Sequence, residues 1–374
     1  MKVLFPFVGD SVGGSHRSIL ELYDALNSSA ITPIFVLHEI GPLSSLLDSL
    51  NIQYEYIFIK NLAGESPYIP KIIFSIVFNF FKLNKFIRKN KIDIVHGNDL
   101  RINLTWSLPA RLSGAFYLWH QRAVMSSSVL WKTSTLMADY FVAISECVYN
   151  SLPSNIPKSK KKLILNPFDT RKTYEIKDSR RWVNSIYSIP KNSILLGYIG
   201  RLVDWKNIDF LISCFAKYTK KSSLHLHLII VGVGNDKYTN NLRRLVCKLG
   251  VNSMVTFAGF NYDPSRVISA FDLMIAPSDK EPFGRTLVEA MIQNTPILAA
   301  KGGGHSEIID NGVSGRLYEH NNIDDFISQF NLYINNSKYT HKIINNANTI
   351  AKLKYSSHSH AESIVCIYRQ SIIT

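Results

Sequence analysis

Cysteine is scarce and unpatterned. The chain has four, Cys147, Cys214, Cys247 and Cys366, widely scattered, with no C-x-x-C and no histidine at ligand spacing. This argues against a disulfide framework or a zinc site and fits reduced packing residues of a cytoplasmic protein. Long apolar runs are missing too. The opening MKVLFPFVGD is broken by Pro6, so it reads as a first strand and not as a signal peptide. The apolar core of residues 69–91, Ile72 to Phe81, spans ten residues, against about twenty for a membrane-spanning helix. There is no internal repeat, no long low-complexity tract, no nucleic-acid-binding motif and no D-x-D; the nearest approach to the last is Asp279-Lys280-Glu281.

What is present is a globular composition, 46% hydrophobic and 19% charged, in 374 residues. That length suits two domains of ordinary size. The formal net charge of +14 is spread over both halves and favours anionic partners such as phosphates or acidic lipid head groups.

Apolar strands alternate with helical patterns along most of the chain, the mark of an α/β protein. Lys2–Val8 reads as a buried strand, followed by a glycine turn ending in Gly13-Gly14 and a helix over Ser15–Leu26. Strands are expected at Pro33–Leu37, Tyr54–Phe58, Ile92–His96, Phe116–His120 and Tyr140–Ile144. A histidine at the carboxyl end of a parallel strand, as at His120, points to where such sheets bind ligands. In the second half, Ile194–Gly200 leads into Arg201-Leu-Val-Asp-Trp-Lys206. A planar fork and a point charge five residues apart can pair with two phosphates from different directions.

Residues 69–91 are strongly apolar yet carry Lys71, Lys82, Lys85, Arg88, Lys89 and Lys91 with no acid. Two readings stand: a helix lying in a membrane interface, or a helix packed on the sheet with a basic solvent end. Lys158 and Lys160–Lys162 read as a solvated basic loop, with a lipid-facing loop as the alternative.

The segment that organises the rest is Leu273 to Glu307, read as strand, loop, helix, strand, loop, helix. Glu281 lies in the first loop and Glu289 eight residues later in the second turn of the helix. A glycine-bearing loop entering a helix offers backbone N–H groups and the positive end of the helix dipole to a phosphate. Carboxylates flanking such a seat accept hydroxyl hydrogens. A lone pair of glutamates would be ordinary solvated charge; here phosphate plus hydroxyls on either side describes a nucleotide sugar.

EPFGRTLVEA, followed by GGGHSEIIDNG, resembles the E-x7-E segment and Gly-Gly loop of glycosyltransferase family 4. GRLVDWKN and LWHQRA resemble that family's phosphate motif and its histidine position, Asn207 standing where a glycine is usual. The resemblance implies a GT-B fold: two Rossmann-like α/β domains facing across a cleft, with a C-terminal helix crossing back to the first. It sets an acceptor domain at 1–174, a donor domain at 175–354 and the returning helix at 355–374. It implies a retaining transfer of a sugar from a UDP- or GDP-linked donor, without cofactor, to an acceptor hydroxyl. The lack of D-x-D, with Arg201 and Lys206 at hand, adds the expectation of metal independence, and the basic, apolar residues 69–91 that of a glycan or lipid-linked acceptor of the cell envelope. Arg201 and Lys206 would stabilise the diphosphate, Glu289 would hold the ribose and Glu281 the hexose, and His120 would orient sugar or acceptor. Gly13, Gly14, Phe260, Phe283, Gly284, Arg285 and Thr286 complete the implied donor site. With Lys82, Lys85, Arg88 and Lys89 toward anionic lipid, the protein is expected on the inner face of the cytoplasmic membrane. A nucleotide-sugar epimerase and a non-catalytic basic binding module are the alternatives.

Overall fold

The computed structural model describes residues 1–26, 30–66, 68–126 and 133–373. They form two compact units, Met1–Phe168 with Ser357–Thr374, and Asp169–Ser356.

The first unit holds a seven-stranded parallel sheet in the order β3-β2-β1-β4-β5-β6-β7. Its strands are β1 (Lys2–Phe7), β2 (Thr32–Leu37), β3 (Tyr54–Tyr56), β4 (Ile94–Gly97), β5 (Phe116–Gln121), β6 (Tyr140–Ala143) and β7 (Lys161–Leu163). Strands covered on both faces read as continuous apolar runs, which is why β1, with five consecutive buried residues, was plain in the sequence. Strand β7 was not: two of the lysines read as a solvated loop pair with β6, Phe141 opposite Lys161 and Val142 opposite Lys162. Lysines on an edge strand are a common guard against further pairing.

The helix Ser357–Ile373 belongs to this unit. It packs Ala361, Ile364, Ile367 and Tyr368 into the core with Phe5, Phe7, Ile19, Leu22 and Leu118. The helix Ile69–Asn90 is set the opposite way round. Its buried strip is Ile72, Ser75, Asn79, Leu83 and Ile87, while Ile69, Ile73, Phe74, Val77, Phe78 and Phe81 are 51–76% exposed.

The second unit holds a six-stranded parallel sheet, β10-β9-β8-β11-β12-β13. The strands are β8 (Ile194–Ile199), β9 (Leu226–Val231), β10 (Val255–Gly259), β11 (Leu273–Ala276), β12 (Ile297–Ala300) and β13 (Arg316–Tyr318). Leu196, Leu228, Ile230, Ile275 and Leu298 meet Leu211, Phe215, Phe326 and Phe330 in its core. In both sheets the strand order reverses once, between β1 and β4 and between β8 and β11. Ligands of open parallel sheets bind beyond the carboxyl ends of the strands at such a reversal.

Ile364 is fully buried, so Ile364→Ala should destabilise the first unit by about 2–5 kcal/mol. The measurement is the urea midpoint for loss of hydrogen-exchange protection in β1 and β4. An unchanged midpoint would show that the C-terminal helix only lies against this core.

Candidate active site

Strands β8 and β11 pair directly, Leu196 opposite Leu273 and Gly197 opposite Met274. The loops leaving their carboxyl ends therefore start side by side, although some seventy residues of chain separate them. The two loops are stitched together: the Ser278 hydroxyl donates to the Trp205 carbonyl at 2.9 Å, and the Asn207 side-chain amide donates to the Pro277 carbonyl at 3.3 Å and to Asn321 Oδ1 at 3.0 Å. Asn207 sits at φ 58°, ψ 37°, the left-handed region that asparagine tolerates far better than most residues. It thus reproduces the turn a glycine would make and adds two hydrogen bonds.

Trp205 organises the cations. The Arg201 guanidinium lies 5.9 Å from the indole centroid and Lys206 Nζ 4.4 Å. Contacts of this kind contribute about 0.5–1 kcal/mol when exposed and more when desolvated. Lys206 Nζ also contacts the Glu281 carboxylate, both side chains being largely buried. Burial and the Arg201 charge push the Lys206 ammonium down to about 7, while the touching Glu281 carboxylate favours the charged form.

Gly284 caps the helix Arg285–Ile292 at φ 103°, a conformation costly to other residues. A Cβ there would also come within 3.0 Å of the His305 ring. The three-glycine run presses on this loop from the other side. The Gly304 N–H donates to the Glu281 carbonyl at 2.7 Å, and a Cβ on Gly304 would meet the Phe283 carbonyl oxygen at 2.2 Å. Phe283 is buried against Tyr355, edge to face at 5.9 Å. One turn into the helix, Glu289 is 9% exposed and faces Arg285, Nε to Oε1 3.7 Å. Thr286 lies in the first turn, where backbone N–H groups lack intrahelical acceptors. His305, given no role by the sequence, packs under this loop with Nδ1 donating to the Ala300 carbonyl at 3.2 Å. Burial pushes it down to about 4, which keeps the ring neutral beside the cations.

The structure thus brings Arg201, Lys206 and Glu281 together around Trp205 and pairs Arg285 with Glu289. Phe260 is elsewhere, in the loop after the edge strand β10, 47% exposed and edge to face with Tyr262 at 4.9 Å. The remaining expected residues belong to the first unit. Gly13 donates its N–H to His16 Nδ1 at 3.0 Å, and Gly14 begins the helix that follows. His120, at the end of β5, is fully buried, its ring stacked on His96 at 5.3 Å and on His360 at 6.0 Å. Of the four cations offered to lipid, Lys82 donates to the Phe58 carbonyl and Arg88 to the Leu112 carbonyl, each at 2.8 Å; Lys85 and Lys89 are exposed.

Against solved structures, the chain superposes with a TM-score of 0.85 on the Anabaena protein HepE in complex with UDP-glucose, at 22% identity over 99% of this chain and 100% of that one. The fold is GT-B. Residues 183–349 match the family model of glycosyl transferases group 1. An uncharacterized glycosyltransferase of Methanocaldococcus jannaschii is 29% identical over 265 residues, 68% of this chain and 65% of that protein. The UDP-Gal:alpha-D-GlcNAc-diphosphoundecaprenol alpha-1,3-galactosyltransferase of Escherichia coli is 22% identical over 85% of this chain and 84% of its own. The family match and these relatives support a GT-B glycosyltransferase, and the matched family segment contains every residue of the Arg201–Glu289 constellation.

The Lys206 shift sets a pH dependence. Burial and the Arg201 charge lower the Lys206 ammonium while Glu281 holds it charged, so it gives up its proton more readily than an ordinary lysine and its attraction for an anion weakens as pH rises. UDP or GDP affinity, followed by calorimetry from about pH 6 to about pH 9, should fall across neutrality in the parent. In Lys206→Arg, which stays charged throughout, the profile should be flatter; parallel profiles would mean that Lys206 does not titrate in this window.

Proposed function

We propose that the protein is a retaining glycosyltransferase that moves a sugar from a UDP- or GDP-linked donor to a hydroxyl of a lipid-linked or cell-envelope glycan. The observation that carries this reading is the Arg201–Trp205–Lys206–Glu281 grouping at the strand-order reversal. It offers two fixed cations to a diphosphate and carboxylates to hydroxyls on either side of it. In the transfer, the bond between the anomeric carbon and the diphosphate oxygen breaks, and the acceptor oxygen bonds to that carbon in its place. The electron pair leaves with the diphosphate, whose departing oxygen takes the acceptor hydroxyl's proton, and Arg201 and Lys206 offset the charge as it develops, the preorganised electrostatics that supply much of enzymatic catalysis. Donor entry separates Lys206 from Glu281: the ammonium turns to phosphate and the carboxylate to sugar hydroxyls. Glu289, facing Arg285, takes the ribose hydroxyls, and His120 orients sugar or acceptor. Because two protein cations provide the counter-charge and no D-x-D is present, the transfer needs no metal and no cofactor.

The acceptor follows from the helix Ile69–Asn90. Its largest apolar side chains point outward, Phe74 stacked on Phe78 at 5.7 Å and Phe80 edge to face with Phe81 at 5.3 Å. Exposed apolar patches of this kind mark interaction sites. No acid lies on the helix, and Lys71, Lys85 and Lys89 are exposed beside the aromatics, so the complementary partner is an anionic lipid surface. No helix among the described residues is long and apolar enough to cross a membrane; this one lies in the interface by its aromatic face, on the cytoplasmic side where nucleotide sugars are available. A relative that works on a diphosphoundecaprenol-linked sugar fits an acceptor presented at such a surface.

Two outcomes test the reading. With a panel of UDP- and GDP-sugars and a lipid-linked acceptor, product should form only when both substrates are present and should persist in excess EDTA. Turnover of donor without acceptor would point to epimerisation, and a loss restored by Mg²⁺ would place the counter-charge on a metal. For the membrane surface, Phe74→Ser, Phe78→Ser and Phe81→Ser together should weaken binding to phosphatidylglycerol vesicles by at least about tenfold, since each exposed Phe contributes about 1.5–3 kcal/mol on full burial. Vesicle flotation of the triple variant at the parent's level would leave this face without a lipid role.

A further inference from the structure

Behind His120 lies an interior chain of hydrogen bonds whose direction can be worked out. His120 Nδ1 is 3.0 Å from His96 Nε2 and 3.4 Å from Arg122 Nη2, and His96 Nδ1 is 2.5 Å from the Tyr368 hydroxyl. A guanidinium donates and never accepts, so the His120 nitrogen facing it is the bare, accepting one. His96 must then carry its proton on Nε2, to donate to that same atom. The other nitrogen of a neutral His96 is bare, so the Tyr368 hydroxyl donates to it. Every link is satisfied in one direction only, and the remaining His120 proton sits on Nε2. That atom is buried and has no hydrogen-bond partner, at the strand end where a parallel sheet meets its ligand.

We propose that Arg122 is a positioning residue which, with the Tyr368–His96 relay, holds His120 as a fixed Nε2–H hydrogen-bond donor toward an oxygen of the transfer substrates. This rests on the glycosyltransferase reading for the identity of that oxygen, a sugar hydroxyl or a phosphate, and not for the tautomer. It also excludes His120 as the base that takes the acceptor's proton. The charged and titratable groups facing His120 are Arg122 from its own loop, His96 from β4, and His360 and Tyr368 from the C-terminal helix. Burial, then Arg122, then the two histidines all hold its basicity well below the ordinary histidine value, so the ring remains neutral through the working range. Arg122 is itself aimed by Asn98 Oδ1, 2.8 Å from Nη2, and by Asn166 Oδ1, 2.5 Å from Nη1.

The test is nitrogen NMR of histidine-labelled full-length protein, with His120→Gln to assign the signal. The parent should show His120 as the neutral Nε2–H form with no titration between about pH 5.5 and about pH 8.5. Arg122→Met removes the obligatory donor, so the relay can run either way and a mixture of tautomers should appear. Arg122→Lys restores a donor-only group and should restore the single form. Transfer should follow: kcat about tenfold lower in Arg122→Met with donor KM within about twofold, and largely recovered in Arg122→Lys. A parent His120 protonated on Nδ1 overturns the proposal whether or not the variants fold, as does an unchanged signature and kcat in Arg122→Met. The Nε2–H signature in a protein that transfers no sugar would overturn the glycosyltransferase reading and, with it, the donor's assigned target, while leaving the relay in place.

Discussion

Parallel pairing of β8 with β11, strands adjacent in the sheet and distant in the chain, is the constraint on which the second unit's chemistry depends. The loop roots are fixed by the backbone ladder between the two strands, and the loops themselves are tied by Ser278 to Trp205 and by Asn207 to Pro277. Everything charged in the site grows from those two roots. Because the strands on both sides are buried and nearly all apolar, the loops are held by a core that has no slack to give.

That rigidity lets the unit keep opposite charges close without dispersing them into solvent. Lys206 and Glu281 form a direct ion pair, and Arg285 faces Glu289 at 3.7 Å one helical turn further on. A buried charge left alone costs several kcal/mol, so each of these largely buried carboxylates is kept beside a cation. Trp205 holds Arg201 and Lys206 by their common contact with one ring, which orders them without using a carboxylate.

Most of the architecture was legible because buried parallel strands write themselves as apolar runs; β11 and β12 are examples. The edge strands β7 and β13 were not, since Lys161–Leu163 and Arg316–Tyr318 are short, half-exposed and charged. In the site, spacing together with the resemblance of the surrounding motifs singled out Arg201, Lys206, Glu281 and Glu289, and the fold brings the first three together. The roles of Trp205, Asn207 and His305 were hidden for a common reason: each acts on a residue far away in sequence, and only the strand order makes them neighbours. The helix Ile69–Asn90 shows a different limit. With apolar residues on both faces, its pattern could not say which side faced the protein; the buried strip proved to be the one with Ser75 and Asn79 in it.

The same logic explains why the chain's last helix is tied to chemistry at the other end of the sheet. Tyr368 is fully buried and sits in the first unit's core with Ile364 and Ile367, where a hydroxyl would be a liability unless it were hydrogen-bonded. His96 supplies the bond and in turn needs one on its far side, which His120 supplies. A polar path therefore threads an apolar core from the C-terminal helix to a strand end, each group present because its neighbour would otherwise be unsatisfied. Such a path is stable only if it is satisfied throughout, and its one open position is the His120 Nε2–H. His120 is itself fully buried, so the unpaired donor is a property of the packing around it and not of the histidine alone.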